Sequence, residues 1–66
     1  MHITLNGEPR EIPDALTAAG LIELLDLTGK RLAMEVNEAI VPRSTFERHV
    51  LADGDRVEIV HAIGGG

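Results

Sequence analysis

The 66-residue sequence contains no cysteine, tryptophan or tyrosine, and Phe46 is its one aromatic residue. Without cysteine there can be no disulfide framework, no thiolate metal site and no cysteine nucleophile. Aromatic side chains that could stack on bases are almost absent. Six basic residues against eleven acidic ones give a net charge of −5, which disfavours contact with phosphates. We therefore expect no nucleic acid partner.

Long apolar runs are also missing. None approaches the roughly 20 apolar residues that span a bilayer, and the first five residues have neither the basic start nor the apolar core of a signal peptide. We expect a cytoplasmic protein that does not enter a membrane. A sequence of this length forms one small domain, which cannot build both a full core and a deep pocket. This disfavours an enzyme.

Motifs for catalysis and metal binding are scarce. Asp53-Gly54-Asp55 lacks the other ligand positions of a calcium loop, and the three histidines are scattered. The carboxylates are spread along the chain without a pairing that indicates acid–base catalysis. We expect no catalytic residue, no metal site and no bound cofactor.

The first half of the sequence predicts a hairpin and then a helix. Apolar and polar residues alternate up to Leu5, and Asn6-Gly7 is a strong signal for a type I′ turn. Residues 8–12 form the second strand, which Pro9 assigns to a sheet edge because proline cannot donate to the ladder. Thr17 is a typical helix N-cap, and Gly29 is the residue expected just beyond the helix C-terminus.

The second half predicts three more strands. Residues 32–36 alternate in polarity, Glu38-Ala39 forms a turn, and residues 40–41 form a short strand. Ser44 with Glu47 matches a capping box and predicts one helical turn. Residues 56–63 form the last strand.

These elements predict an α+β roll, in which a mixed sheet packs on one main helix. Leu24 widens the apolar stripe of that helix, and Phe46 fills the bottom of the core. Six residues at apolar positions should meet in the core: Leu5, Leu21, Leu25, Met34, Val57 and Ile59. On the last strand, Val60 and Ala62 should point to the opposite side of the sheet.

The last three residues, Gly64-Gly65-Gly66, directly follow this apolar strand. Glycine lets another backbone approach closely, so a narrow tunnel in a partner could admit such a tail. The Gly66 carboxylate is then the candidate reactive group. The other explanation is a frayed end without a function. We expect a domain over residues 1–63 and a flexible tail over 64–66.

Four segments stand out when the sequence is taken as a whole: ITLNGE at residues 3–8, VN at 36–37, IVPR at 40–43 and DGDRVEIVHAI at 53–63, followed by the glycines. With these segments the sequence resembles the ThiS family, the sulfur-carrier proteins of thiamine thiazole biosynthesis, which are ubiquitin-like β-grasp proteins. The resemblance covers nearly the whole sequence. It implies a β-grasp fold and a sulfur carrier rather than an enzyme.

The resemblance further implies how the tail reacts. An adenylating enzyme of the ubiquitin-activating class would use ATP and Mg²⁺ to convert the Gly66 carboxylate to an acyl-adenylate. A persulfide donor would then give a Gly66 thiocarboxylate, whose sulfur thiazole synthase would accept. Gly64 and Gly65 would provide clearance in the partner active sites. Four residues near the tail would contact the partners: Arg43, Val60, Ala62 and Ile63.

Two other functions are consistent with the same features. A glycine terminus also occurs in the small subunit of molybdopterin synthase, although those chains are usually longer and lack the IVPR segment. A ubiquitin-like modifier or a simple binding module is the other alternative. In a modifier, Gly66 would form an isopeptide bond with lysine.

Overall fold

The computed structural model describes residues 1–61. In chain order, these residues form β1 (His2–Leu5), β2 (Glu8–Glu11), α1 (Ala18–Leu24), β3 (Leu32–Val36), β4 (Ala39–Val41), a 3-10 turn (Arg43–Thr45) and β5 (Arg56–His61). The strands form one sheet in the order β2-β1-β5-β3-β4. Because β1 runs parallel to β5 while the other neighbours are antiparallel, the sheet is mixed. The predicted α+β architecture is confirmed.

Both hairpins turn through residues with positive φ. Asn6 has φ 50° and Gly7 has φ 84°, as a type I′ turn requires. In the second hairpin, Asn37 and Glu38 have φ values of 53° and 72°. The predicted turn at Glu38-Ala39 was therefore wrong by one residue, since Ala39 already belongs to β4. Asparagine tolerates positive φ better than alanine does, which favours the observed position.

β2 lies at the edge of the sheet, as predicted from its proline. It ends at Glu11, one residue before the predicted end. Ile12 instead turns into the core, where it is buried, and its N–H donates to the Met1 carbonyl at 2.8 Å. This backbone hydrogen bond closes the hairpin against the first residue, while the Ile12 side chain joins the core.

The helix begins as predicted but ends earlier. The Thr17 hydroxyl accepts a hydrogen bond from Gly20 N–H at 3.0 Å, which is an N-cap contact. Leu24 is the last helical residue, so the predicted end at Gly29 was wrong. Gly29 does have positive φ, but it lies in the loop between α1 and β3.

Asp26 ends the helix, because it adopts φ 60° directly after the C-cap Leu25. Its N–H bonds to the Glu23 carbonyl at 3.0 Å, and Leu27 N–H bonds to the Ile22 carbonyl at 2.9 Å. This pair of bonds is the Schellman motif, with aspartate in the position that glycine usually takes. The motif satisfies the carbonyl groups that the helix end leaves free.

The predicted capping box at Ser44 does not form. The 3-10 turn starts at Arg43, its N-cap is Pro42, and no side chain caps it. Ser44 therefore lies inside the turn rather than before it. The Thr45 hydroxyl instead donates to the Pro42 carbonyl at 2.8 Å.

The core lies between α1 and the face of the sheet that packs against it. Its buried apolar residues are Ile3, Ile12, Ala18, Leu21, Ile22, Met34, Val36, Val41, Phe46, Leu51, Val57 and Ile59. Of the six predicted core residues, Leu5 and Leu25 are only partly buried and pack against this cluster. Leu24 does not extend the buried stripe, since it is 49% exposed on the last turn of the short helix. Phe46 is buried, as predicted.

Among residues 1–61, no helix is both long enough and apolar enough to cross a membrane.

Candidate docking site beside the C-terminal segment

β5 lies at the centre of the sheet and leads directly into residues 62–66. β3 pairs with it from Val57 to His61. β1 pairs with it only at Arg56 and Val57, because the chain then turns away at Asn6. The last part of β5 therefore has a neighbouring strand on one side only.

Asn6 replaces the missing strand on the other side. Its N–H donates to the Val57 carbonyl at 2.9 Å. Its side-chain Oδ1 accepts from Ile59 N–H at 2.8 Å, and Nδ2 donates to the Ile59 carbonyl at 3.3 Å. The side-chain amide of Asn6 thus makes the two hydrogen bonds to Ile59 that a backbone amide group would make if β1 continued alongside β5. The base of the C-terminal segment is held on both sides as far as Ile59.

The face of the sheet that points away from α1 is here called the outer face. Since Met34, Val57 and Ile59 are buried on the helix side, the alternating exposed residues of the same strands lie on the outer face. On β3, β4 and β5 these residues include Ala33, Glu35, Ile40, Glu58 and Val60. Val60 is 70% exposed there, as the alternation predicts, and Ile40 is 74% exposed.

Ile40 was not among the predicted site residues. Its exposure follows from the alternation along β4, since Val41 is buried. This alternation could not be recognised in the sequence, because a strand of three residues is shorter than the four to eight residues over which alternation indicates a strand. The role of Asn6 was also missed, because its partner lies 53 residues away in the sequence.

Arg43 lies on the helix side of the sheet, away from Val60. It lines an open groove of about 430 Å³ together with Ile22 and Phe46. Its Nη2 donates to the Lys30 carbonyl at 2.9 Å. Arg43 therefore ties the 3-10 turn to the loop between α1 and β3, and it does not share a surface with Val60.

The other predicted site residues, Ala62, Ile63, Gly64, Gly65 and Gly66, lie outside the described residues. Their assigned roles in clearance, reaction and partner contact stay predictions. Within the described part of the chain, no group of three or more His, Cys, Asp or Glu side chains could hold a metal ion.

A mixed five-stranded sheet with β5 central and one helix across it is the ubiquitin-like β-grasp architecture. A solved structure, a thiamine biosynthesis protein (ThiS) from Geobacter metallireducens, has the same fold, with a TM-score of 0.85, 29% identity and full coverage of both chains. The model of the ThiS family matches residues 3–66. The chain belongs to the ThiS family.

Two sequence relatives extend this comparison. The chain is 32% identical to the sulfur carrier protein ThiS of Escherichia coli, over the full length of both. It is also 42% identical, over all of its 66 residues, to a thiazole synthase of Magnetococcus marinus. The chain spans about a fifth of the length of the thiazole synthases it matches.

Proposed function

We propose that this protein is a sulfur carrier for thiamine biosynthesis, and that the carboxyl group of Gly66 carries the sulfur. The main support is its similarity over the full length to the sulfur carrier protein of Escherichia coli. The family match also extends to residue 66 and so includes the three glycines. The proposal requires that the carboxyl group of Gly66 be free.

The chemistry begins with activation, since a carboxylate is a poor acyl donor. An adenylating enzyme transfers AMP from Mg²⁺-bound ATP to the Gly66 carboxylate and releases pyrophosphate. The terminal sulfur of a persulfide then displaces AMP, and a thiol cleaves the resulting S–S bond to leave a Gly66 thiocarboxylate. ATP and Mg²⁺ belong to the partner enzyme, and the carrier supplies only the acyl group. We assign these steps to the cytoplasm, where ATP is available.

The folded body directs the tail. β3 pairs with β5 as far as His61, and Asn6 holds the backbone of β5 at Ile59 on the other side, so the strand that leads into the tail is fixed up to this point. We propose that Val60, Ala62 and Ile63 contact the partners beside the tail. Arg43 would contact the partners separately, from the helix side of the sheet. Gly64 and Gly65 give the clearance that a narrow active-site tunnel needs.

Thiazole synthase is the proposed acceptor of the sulfur. In the relative from Magnetococcus marinus, a segment similar to this entire chain makes up 20% of a thiazole synthase. Carrying both segments in one polypeptide favours a functional connection between them. The same connection is proposed for this chain.

The proposal is tested by intact-mass analysis. The purified 66-residue chain is incubated with the adenylating enzyme from the same organism, ATP, Mg²⁺ and a persulfide donor. We expect a mass gain equal to the replacement of one oxygen atom by sulfur, and no gain without ATP. Thiazole synthase, when supplied with the other substrates from which it builds the thiazole ring, should take up the sulfur and return the carrier to its original mass. A chain that forms no adenylate and never gains sulfur would overturn the proposal, and conjugates to lysine would indicate a protein modifier instead.

A further inference from the structure

The open groove that Arg43 lines lies at the end of the sheet where β5 runs into the C-terminal segment. His61 ends β5 and pairs with Leu32 at the start of β3. β4 ends on the other side of β3, where Val41 pairs with Met34. Two strand spacings across and two residues along put the ends of β5 and β4 about 12 Å apart. The groove is therefore within a short distance of the last described residue.

The wall of this groove is apolar. Its large apolar lining residues are Ile22, Leu27, Leu32 and Phe46. Because Ile59 is buried on the helix side, alternation along β5 puts His61 on the same side, next to Leu32. β5 thus ends with its backbone beside one wall of the groove.

Arg43 contributes a fixed positive charge to the groove. Its Nη2 donates to the Lys30 carbonyl at 2.9 Å, which uses one of the five N–H donors of a guanidinium. Glu23 and Glu47 also line the groove. Among residues 1–61, however, neither Arg43 nor Lys30 forms an ion pair with a carboxylate. Charge-assisted pairing with a carboxylate is the strongest interaction that such a guanidinium can make.

We propose that residues 62–66 fold back into this groove when no partner is bound. The terminal carboxylate of Gly66 pairs with Arg43, and the Ile63 side chain packs on the apolar wall. Five residues reach at most about 17 Å beyond His61, which exceeds the distance to the end of β4. This segment carries one anionic group and one large apolar side chain, so it matches a groove with an apolar wall and a cation.

The groove also gives the carrier a place to hold its sulfur, and this use rests on the proposed function. A Gly66 thiocarboxylate is an anion like the carboxylate it replaces, so it pairs with Arg43 in the same way. Its sulfur is a nucleophile that reacts with electrophiles in solution. A tail held in the groove shields this sulfur while the carrier passes from one partner to the next, and a partner must release the tail before it can react.

The contact itself is tested by nuclear Overhauser effects between the Ile63 methyl groups and the Phe46 ring in the purified chain. We expect them in the wild type. They should disappear in Arg43→Gln and in a synthetic chain that ends in a carboxamide, which leaves every side chain intact. Arg48→Gln is the matched control, because it removes an equal charge from an exposed arginine that bonds to the Ser44 carbonyl. Thermal melting confirms that each variant is folded.

The use of the groove is tested on chemically prepared thiocarboxylate chains, which require no enzyme. The sulfur displaces iodide from iodoacetamide, and intact mass follows the rate. Arg43→Gln should react faster than the wild type by about threefold or more, because a bound tail exposes only its unbound fraction. Arg48→Gln should keep the wild-type rate.

Each result bears on a different part of the proposal. Absence of the Overhauser effects in the wild type, or their persistence in Arg43→Gln, overturns the contact. Equal alkylation rates in the wild type and Arg43→Gln overturn the shielding of the sulfur. Neither measurement uses a partner enzyme, so failure of the chain to be adenylated would overturn the proposed function and leave the contact to be judged by the Overhauser effects.

Discussion

The side-chain amide of Asn6 makes two hydrogen bonds to the backbone of Ile59, with distances of 2.8 Å from Ile59 N–H and 3.3 Å to its carbonyl. The two residues are 53 positions apart in the sequence. Asn6 also has φ 50°, as its place in the type I′ turn requires. One residue therefore closes the first hairpin and fixes the strand that leads to the C-terminal segment.

Asn6→Gly should isolate the contribution of this side chain. Glycine accepts positive φ without strain, so the turn is preserved while both bonds to Ile59 are lost. We expect the free energy of unfolding to fall by about 1–2 kcal/mol, because part-buried backbone groups lose their partners. Chemical denaturation measures this loss, and amide exchange at Ile59 should become faster. Asn6→Ala should be destabilised further, since alanine adds strain at positive φ. Equal stability of the wild type and Asn6→Gly would contradict the assigned role.

Glu38→Gly should stabilise the protein. Glu38 has φ 72° in the second hairpin turn, where Asn-Gly is the preferred pair for a type I′ turn. We expect a gain of about 0.5–1 kcal/mol in the free energy of unfolding, since the strain at this position is removed. Glu38→Ala is the matched control, because it also removes the exposed ion pair with Arg56 but keeps the strain. If both variants change the free energy of unfolding equally, the gain does not come from relief of backbone strain at position 38.

The sequence predicted the elements of the fold because their signals are local. Alternating polarity identified β3, Asn6-Gly7 identified the first turn, and Thr17 identified the helix start. The helix end was predicted at Gly29 because glycine has the highest preference for positive φ. The structure uses Asp26 instead, since the Schellman bonds form as soon as one residue adopts that conformation. Local preference could not decide between these two positions.

The candidate site was predicted only in part, because most of it depends on register. Val60 could be assigned to the outer face from alternation along one strand. The opposition of Glu35 and Glu58 depends on how β3 and β5 pair, which the sequence does not specify. Arg43 was grouped with Val60 because both were expected to lie near the tail, but its hydrogen bond to Lys30 keeps it on the helix side. Contacts between distant segments set these positions.

Val60→Glu should weaken partner binding without unfolding the protein. Val60 is 70% exposed, so a polar side chain there costs at most about 0.5 kcal/mol. A carboxylate at position 60 would have to lose its hydration against an apolar partner surface, which opposes binding. Calorimetry with the adenylating enzyme should show a dissociation constant at least tenfold higher. Val50→Glu is the matched control, since Val50 is 57% exposed but lies outside the outer face. Wild-type affinity in Val60→Glu would exclude this residue from the interface.

The tail variants test whether Gly66 must reach a fixed depth in the partner. Deleting Gly66 shortens the reach by about 3.5 Å, and Gly65→Val adds a β-branched side chain where clearance should be least. Neither position belongs to the core predicted from the sequence, so each change should alter the free energy of unfolding by no more than about 0.5 kcal/mol. Both should nevertheless abolish or severely slow ATP–pyrophosphate exchange with the adenylating enzyme.

The same two variants separate a sulfur carrier from its alternatives, because each function predicts a different effect of the changes. A frayed end without a function predicts no loss from either change. A protein modifier predicts the loss of conjugates to lysine, whereas a sulfur carrier predicts the loss of the Gly66 thiocarboxylate in the intact mass. Gly65→Ala is the control for the valine variant, since it adds one methyl group without β-branching and should retain more activity. Normal exchange by both the deletion and Gly65→Val would mean that the terminal carboxyl group is not the reacting group.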